Sequence, residues 1–565
     1  MKINQYKYDS NFYTKLEKNK HGRNWPVVYI LNSDREAYIG ETSSFSRRLK
    51  EHSRIERRLT LTNINLIDDD QFNKSAVLDI ESELIRLMNA DGKFELQNLV
   101  VGQNQAHDYY DRNKYKKMIP LIWKNLKHCG LANKDYLTLT NSNLFIYSPY
   151  KTLTEDQYEA SKGILYELGE ALLKKQPCSI AVNGVAGTGK SILAAYLLKV
   201  LNDIKLKKYE KVDLDELEDD GKYEDGILEA LMKAFVTSDY KIGMVVPVTS
   251  MRNTLKKAIG GVAGLRKNVI VTASDVYNEY KDGKKFDIII IDEAQRLKQP
   301  INIQNLKAHY SKNDDLGLDK MATELDWIMK CSDYQIIFYD GDQRVNGSDV
   351  PIQKLKGIPY KSIYSLTTQM RVSGGEAYVE YIRSILGNNP PRRRIDIKDY
   401  EVKIFEDVND MCNAIKLKNK EFDLCRNIAG YAWPWNTKYK KDKKTKADYD
   451  ILIEGYKFRW NSDNNAWITQ ENSINEIGSI HTTQGQDLNY AGIIIGEDLT
   501  YDLESKRIIV HKKNLYDINA KRGLTDEEIR MNVLNAYYIL LTRARRGVYL
   551  YICDEALRNY FKSFF

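Results

Sequence analysis

Short apolar runs alternate with longer stretches of helical period from about Leu153 to the end of the chain. The runs SIAVNG, KIGMVVPV, KNVIVTA, FDIIIIDEA and YQIIFYDGD are nearly continuous and rich in β-branched residues. Such runs suit strands buried on both faces of a parallel sheet. A second series follows: CRNIAGYAW, IGSIHTT, YAGIIIGED and GVYLYICDE. The pattern predicts two α/β units in tandem, at 151–365 and 366–565. Residues 25–105 read differently, with short strands (PVVYIL, AYIG) followed by helical stretches around SFSRRLKEH and LDIESELIRLMN. A helical, basic connector containing KYKKMIPLIWKNLKHCG spans 106–150, and residues 1–24 read as a polar extension.

At 565 residues the chain is too long for one core. It has 42% hydrophobic and 29% charged residues, which is ordinary for a globular protein. A net charge of +7 is compatible with a polyanionic partner without requiring one. The 39 tyrosines outnumber the 14 phenylalanines; some tyrosines stack on bases, but most fill cores and surfaces. Two charge runs, acidic Tyr209 to Gly226 and basic Lys438 to Asp450, read as solvated loops. Six cysteines without a CxxC pair argue against a zinc site and a disulfide framework. The polar N-terminus lacks the apolar core of a signal peptide, and no apolar run approaches the ~20 residues that cross a bilayer. A cytoplasmic protein without membrane contact is expected.

The segment GVAGTGKS, Gly184 to Ser191, lies between a strand-like and a helix-like stretch. Gly184, Gly187, Thr188 and Gly189 form a loop whose backbone N–H groups approach phosphates. Lys190 meets their charge, and Ser191 ligates Mg²⁺ (or Mn²⁺). FDIIIIDEAQ then places Asp292 and Glu293 at the end of an apolar strand. Asp292 suits the metal shell, and Glu293 suits orienting or deprotonating the attacking water. Together these predict an ATPase.

Further motifs follow in order: LTEDQ, VVPVTSMRNTL, YDGDQRV, TTQMRVS, IHTTQGQDLNYAGIIIG and NAYYILLTRARRG. With them the chain resembles superfamily 1 helicases, and most closely their Schlafen-related bacterial group. That resemblance implies two RecA-like domains, with Gln157 reading adenine, Gln343 sensing γ-phosphate, Arg371 as the motif IV arginine and Arg543 as the arginine finger.

Nearer the start, PVVYILNSDREAYIGETSSFSRRLKEH resembles the GIY-YIG nuclease module over residues 25–105. Tyr29 and Tyr38 stand in its two tripeptides, although the first reads VVY and lacks the family's glycine. Arg48 and His52 fall at i and i+4 on one helical face. The resemblance implies that Glu81 holds a single divalent metal, with Glu83 as close competitor, and that Asn98 is the module's late asparagine. A metal-dependent endonuclease fused to an ATP-driven helicase resembles anti-phage defence effectors. Its expected partners are nucleic acid, DNA more readily than RNA, and a defence-system protein. A repair helicase with a non-cleaving recognition module and an ATP-switched binding protein are the alternatives.

Overall fold

The computed structural model describes residues 2–8, 20–21, 24–98, 109–206, 227–301, 303–341, 347–387, 389–397, 399–439, 448–462, 467–483, 487–517, 521 and 524–565. Gln343, residues 484–486 of motif V, the acidic run and residues 440–447 of the basic run lie outside them. The chain forms two compact units. The first holds 1–178, 191–243 and 255–270; the second holds 179–190, 244–254 and 271–565.

The first unit begins with a five-stranded sheet. Its strands are β1 (Lys2–Lys7), β2 (Val27–Asn32), β3 (Glu36–Thr42), β4 (Asn63–Asp68) and β5 (Glu95–Leu96), in the order β1-β4-β2-β3-β5. All pairs are antiparallel except the short parallel pair of β3 and β5. β2 is central and buried along its whole length because both neighbouring strands and both faces are covered. Val27, Tyr29 and Leu31 join Phe45 and Leu49 of the helix Phe45–His52 in one core, while Val28 and Ile30 are equally buried. Val27 occupies a regular strand position, so the glycine missing from VVY is replaced by a packed side chain. The polar extension carries an edge strand, β1, which pairs with β4 from Lys2↔Asp68 to Lys7↔Asn63.

The helix Lys74–Asp91 packs against β2 and β3. It starts at Asn73, whose side chain accepts from the Ala76 N–H, and stops at Gly92 with φ +71°. The connector helix Arg112–His128 buries Tyr115, Ile119, Ile122, Trp123 and Leu126, a helical stripe. It packs against Lys74–Asp91, and the Asp91 carboxylate accepts from the backbone N–H groups of Asn133 and Lys134. The connector is thus fastened to the module at both ends of its turn.

Two larger sheets follow. The first contains β6 (Cys178–Gly184), β7 (Ile242–Val245), β8 (Ile270–Val271), β9 (Ile288–Ile291), β10 (Tyr334–Tyr339) and β11 (Ser362–Leu366), in the order β11-β6-β10-β9-β7-β8. β10 runs parallel to β9, and β11 to β6. The second contains β12 (Glu401–Phe405), β13 (Arg426–Ala429), β16 (Ile477–Ser479), β17 (Leu488–Ile495) and β20 (Ala544–Ile552), in the order β12-β20-β17-β13-β16 with parallel pairing throughout. Two antiparallel hairpins are inserted, β14 (Ile451–Ile453) with β15 (Tyr456–Phe458), and β18 (Leu499–Asp502) with β19 (Arg507–Val510). The apolar runs are these strands: β9, β10 and β17 are buried at every position. Parallel, crossover-linked sheets are what the tandem α/β reading called for. Among the described residues no helix is long and apolar enough to cross a membrane.

Candidate functional sites

The phosphate loop joins β6 to the helix that opens at Lys190. Gly187 and Gly189 have φ of +90° and +76°, a region that other residues enter only at a cost. Lys190 Nζ donates to the Gly184 carbonyl at 2.6 Å and the Val185 carbonyl at 3.1 Å, and lies 3.8 Å from Asp340 Oδ2. Asp292 directly follows β9 and Asp340 directly follows the adjacent β10, both buried. Acids and a cation gathered at the carboxyl ends of parallel strands are where such sheets bind ligands. The all-oxygen pair of Asp292 and Asp340 suits Mg²⁺, a hard cation. Glu293 sits in the left-handed region at φ +54°. Gln295 holds it there, donating to Glu293 Oε2 at 2.5 Å while accepting from the Asp340 N–H at 3.1 Å.

The segment after β11 closes on the loop. Gln369 Nε2 donates to the Ala186 carbonyl at 3.0 Å, and the Met370 N–H donates to the Gly187 carbonyl at 2.9 Å. A Cβ on Gly187 would lie 2.0 Å from Gln369 Oε1 and push that amide aside, while the positive φ is what calls for glycine. Arg371 Nε donates to Asp487 Oδ1 at 2.9 Å, and Arg545 Nη2 donates to Asp487 Oδ2 at 3.2 Å. One carboxylate thus holds the motif IV arginine and a motif VI arginine. Arg543 follows the helix Asp526–Leu541 and is buried. Gln157 is buried at the start of the helix Glu155–Lys174, where its amide oxygen accepts from the Thr154 N–H at 3.1 Å in a capping box.

In the amino-terminal sheet, Tyr29 faces Gly40 and Leu31 faces Tyr38, so both tyrosines share one face. Their ring centres are 6.3 Å apart. A Cβ on Gly40 would lie 2.4 Å from the Tyr29 hydroxyl oxygen, which is the physical need for glycine in YIG. Tyr29 Oη lies 2.6 Å from His52 Nε2, and Arg48 hydrogen-bonds Tyr29 as well as Glu51. Arg58, buried in the turn Glu56–Thr60, donates to His52 Nδ1 and lies 3.9 Å above the Tyr38 ring centre. Burial, helped by Arg58 and Arg48, holds the His52 imidazole well below its ordinary range. Burial, with Tyr38 adding to it, pushes the Tyr29 phenol well above its own, against the pull of Arg48 and Arg58. At neutral pH both are therefore uncharged.

Asn98 clasps this face. Its Oδ1 accepts from the Ile39 N–H at 3.0 Å, and its Nδ2 donates to the Ile39 carbonyl at 2.7 Å. Glu81 and Glu83 are half-buried on the helix Lys74–Asp91, and Glu83 pairs with Arg86 at 3.4 Å. Arg86 is itself held by the Phe145 carbonyl and ring. No group of three or more His, Cys, Asp or Glu that could hold a metal occurs among the described residues.

Residues 177–554 match the Schlafen group 3 DNA/RNA helicase domain family. The chain belongs to that family. An uncharacterized protein of Saccharomyces cerevisiae, YPL245W, is 26% identical over 414 residues, covering 68% of this chain and 84% of the relative. Two solved structures are similar at 12% identity. One, described as showing DNA unwinding at forked dsDNA by two coordinating Pif1 helicases, has a TM-score of 0.28 and covers 70% of this chain and 91% of its own. The other, Pif1 helicase from Bacteroides with ADP-AlF3 and ssDNA, has a TM-score of 0.26 and covers 68% and 92%.

The Schlafen group 3 helicase domain thus takes in both parallel sheets and begins one residue before β6. The five-stranded sheet and its pocket lie before the matched span. Of the residues expected from the sequence, Lys190 opens its helix, Asp292 and Glu293 directly follow β9, and Arg371 lies in the segment after β11. Sequence reasoning missed Gln369, Asp487 and Arg545, although QMR and QGQD were already singled out as segments. It also missed Arg58, which lies in the short turn Glu56–Thr60 beyond the helix that carries Arg48 and His52.

Proposed function

We propose that the chain is a cytoplasmic ATP-dependent nuclease–helicase that hydrolyses ATP in its Schlafen group 3 domain and cleaves nucleic acid in its amino-terminal module. The motor half is supported by Lys190, Asp292 and Asp340 at the phosphate loop. Glu293 is the residue for the attacking water, Arg371 and Arg543 are the transition-state cations, and Gln157 and Gln343 read the nucleotide. The cleaving half rests on one observation: the Tyr29 oxygen is gathered by His52 and Arg48 beside Tyr38. A buried, neutral tyrosine suits a relay in which its oxygen takes a proton from water as its hydroxyl passes its own proton to a phosphate oxygen of the substrate, while Arg48 offsets charge on the phosphate. A divalent metal would supply leaving-oxygen stabilisation, with Glu81 as its expected ligand and Glu83 as close competitor. DNA is the favoured substrate and anti-phage defence the favoured role. That role rests on the resemblance of nuclease–helicase fusions alone, and the yeast relative extends the sequence likeness beyond bacteria.

The test is a pair of separations. Lys190→Ala abolishes nucleic-acid-stimulated ATP hydrolysis, and Glu81→Ala abolishes cleavage in Mg²⁺ or Mn²⁺ while ATP turnover persists. Cleavage by folded Glu81→Ala and Glu83→Ala proteins at the parent rate would overturn the nuclease half. The second reading, a helicase whose module recognises branched DNA without cutting, is favoured if the parent binds such DNA tightly and never cleaves it.

A further inference from the structure

Arg58 has no part in the motifs discussed above, yet it touches two of the four pocket residues. It is placed by local backbone: its N–H donates to the Ile55 carbonyl at 3.0 Å and its carbonyl accepts from the Leu61 N–H at 3.1 Å. From that turn its Nη1 reaches His52 Nδ1, and its guanidinium carbon lies over Tyr38, 3.9 Å from the ring centre. A guanidinium carries only donors. His52 Nδ1 must therefore accept, which leaves the proton of a neutral imidazole on Nε2. That N–H faces Tyr29 Oη at 2.6 Å, so the tyrosine oxygen accepts there. Its own proton is then directed elsewhere.

We propose that Arg58 is a positioning residue of the amino-terminal site, fixing the His52 tautomer so that Tyr29 keeps its proton for the substrate rather than for His52. The inference rests on the nuclease reading for its purpose, but the tautomer itself does not. Without Arg58 the other neutral tautomer becomes available. Nε2 then accepts from the Tyr29 hydroxyl, and the relay is turned inward.

The experiment uses the full chain labelled with ¹⁵N at histidine, with the His52 signals assigned by their loss in His52→Gln. In the parent, His52 shows a protonated Nε2 and an imine-type Nδ1. In Arg58→Ala the two signals shift toward the opposite tautomer, and Arg58→Lys, which restores a donor, moves them back. On a DNA substrate, Arg58→Ala lowers kcat on the order of 10²-fold with KM little changed, as loss of an oriented proton-transfer group does. A parent His52 protonated on Nδ1, or a tautomer unmoved by Arg58→Ala, overturns the proposal. If Arg58→Ala does not fold, the parent and Arg58→Lys spectra decide it. A parent that shows the Nε2–H tautomer and cuts nothing sinks the function proposed above and leaves this assignment standing.

Discussion

Two buried tyrosines in different parts of the chain meet glycine in the same way and then differ. Tyr29 lies over Gly40 in the amino-terminal sheet, and Tyr537 lies over Gly430 at the end of β13; an added Cβ would come within 2.4 Å and 2.3 Å of the hydroxyl oxygens. Around Tyr29 the hydrogen-bond partners are His52 and Arg48. Tyr537 instead donates to Asp498 at 2.6 Å and accepts from the Gly496 N–H at 3.2 Å. On the tautomer proposed for His52, the oxygen in the first region accepts from its neighbours and its proton points elsewhere. In the second the hydroxyl is fully used between a carboxylate and the backbone, and its work is to hold the turn from β17 into β18. The shared packing says nothing about function; the polarity of the partners does.

Tyr29→Phe tests that distinction hardest. Cleavage falls on the order of 10²- to 10⁴-fold with the fold retained, measured on a DNA substrate at saturating metal. An unchanged rate would make Tyr29 as structural as Tyr537.

Next in size is a pH effect at Asp498. Burial pushes its carboxyl up to about 7, although the Tyr537 hydroxyl pulls the other way. Unfolded, the group titrates near ~3.9. Between those values the folded state holds the extra proton, so stability falls as pH rises from ~4 to ~7 and levels off above. The loss is on the order of a few kcal/mol, and Asp498→Asn removes it. Chemical denaturation at pH 5 and pH 8 reads the difference, and an equal pH response in parent and variant would count against it.

Gly40→Ala and Gly430→Ala each cost about 1–3 kcal/mol of stability through overpacking, seen as lower thermal midpoints. They part company in activity. Cleavage per folded molecule falls for Gly40→Ala, which displaces Tyr29, and holds for Gly430→Ala. The smallest effect belongs to Gln369→Ala, which removes one hydrogen bond from the phosphate loop. ATP turnover drops only a few-fold, in keeping with ~0.5–1.5 kcal/mol for such a bond.

The parallel sheets were legible where a strand is an apolar run, which left out the half-exposed edge strands β11 (SIYSL) and β12 (EVKIF). The phosphate loop was legible because one short segment supplies glycines, lysine and hydroxyl together. The tyrosine pocket was half legible. Tyr29, Tyr38, Arg48 and His52 sit within one antiparallel pair and the next helix, so local periodicity places them. Arg58 comes from an irregular turn whose direction no pattern encodes. β1 was read as an extension because its partner β4 lies some sixty residues away, and nothing in KINQYK announces a register with NINLID. Gln369 was overlooked for the same reason, since its contact with Ala186 closes a loop of 183 residues.

The Asn98 clasp has a mechanical meaning. β5 is only two residues long, a weak seam against a pull along the chain. By pairing both the N–H and the carbonyl of Ile39, the Asn98 side chain imitates one more peptide of that strand. Its backbone carbonyl, in turn, accepts from the Tyr150 hydroxyl at 3.4 Å. The seam is therefore stitched just where the strand runs out, and the stitch is sewn to the residue between Tyr38 and Gly40. Any tension on the chain beyond Asn98 arrives first at the backbone that carries the pocket, which makes this asparagine a strain gauge for the site rather than one of its reagents.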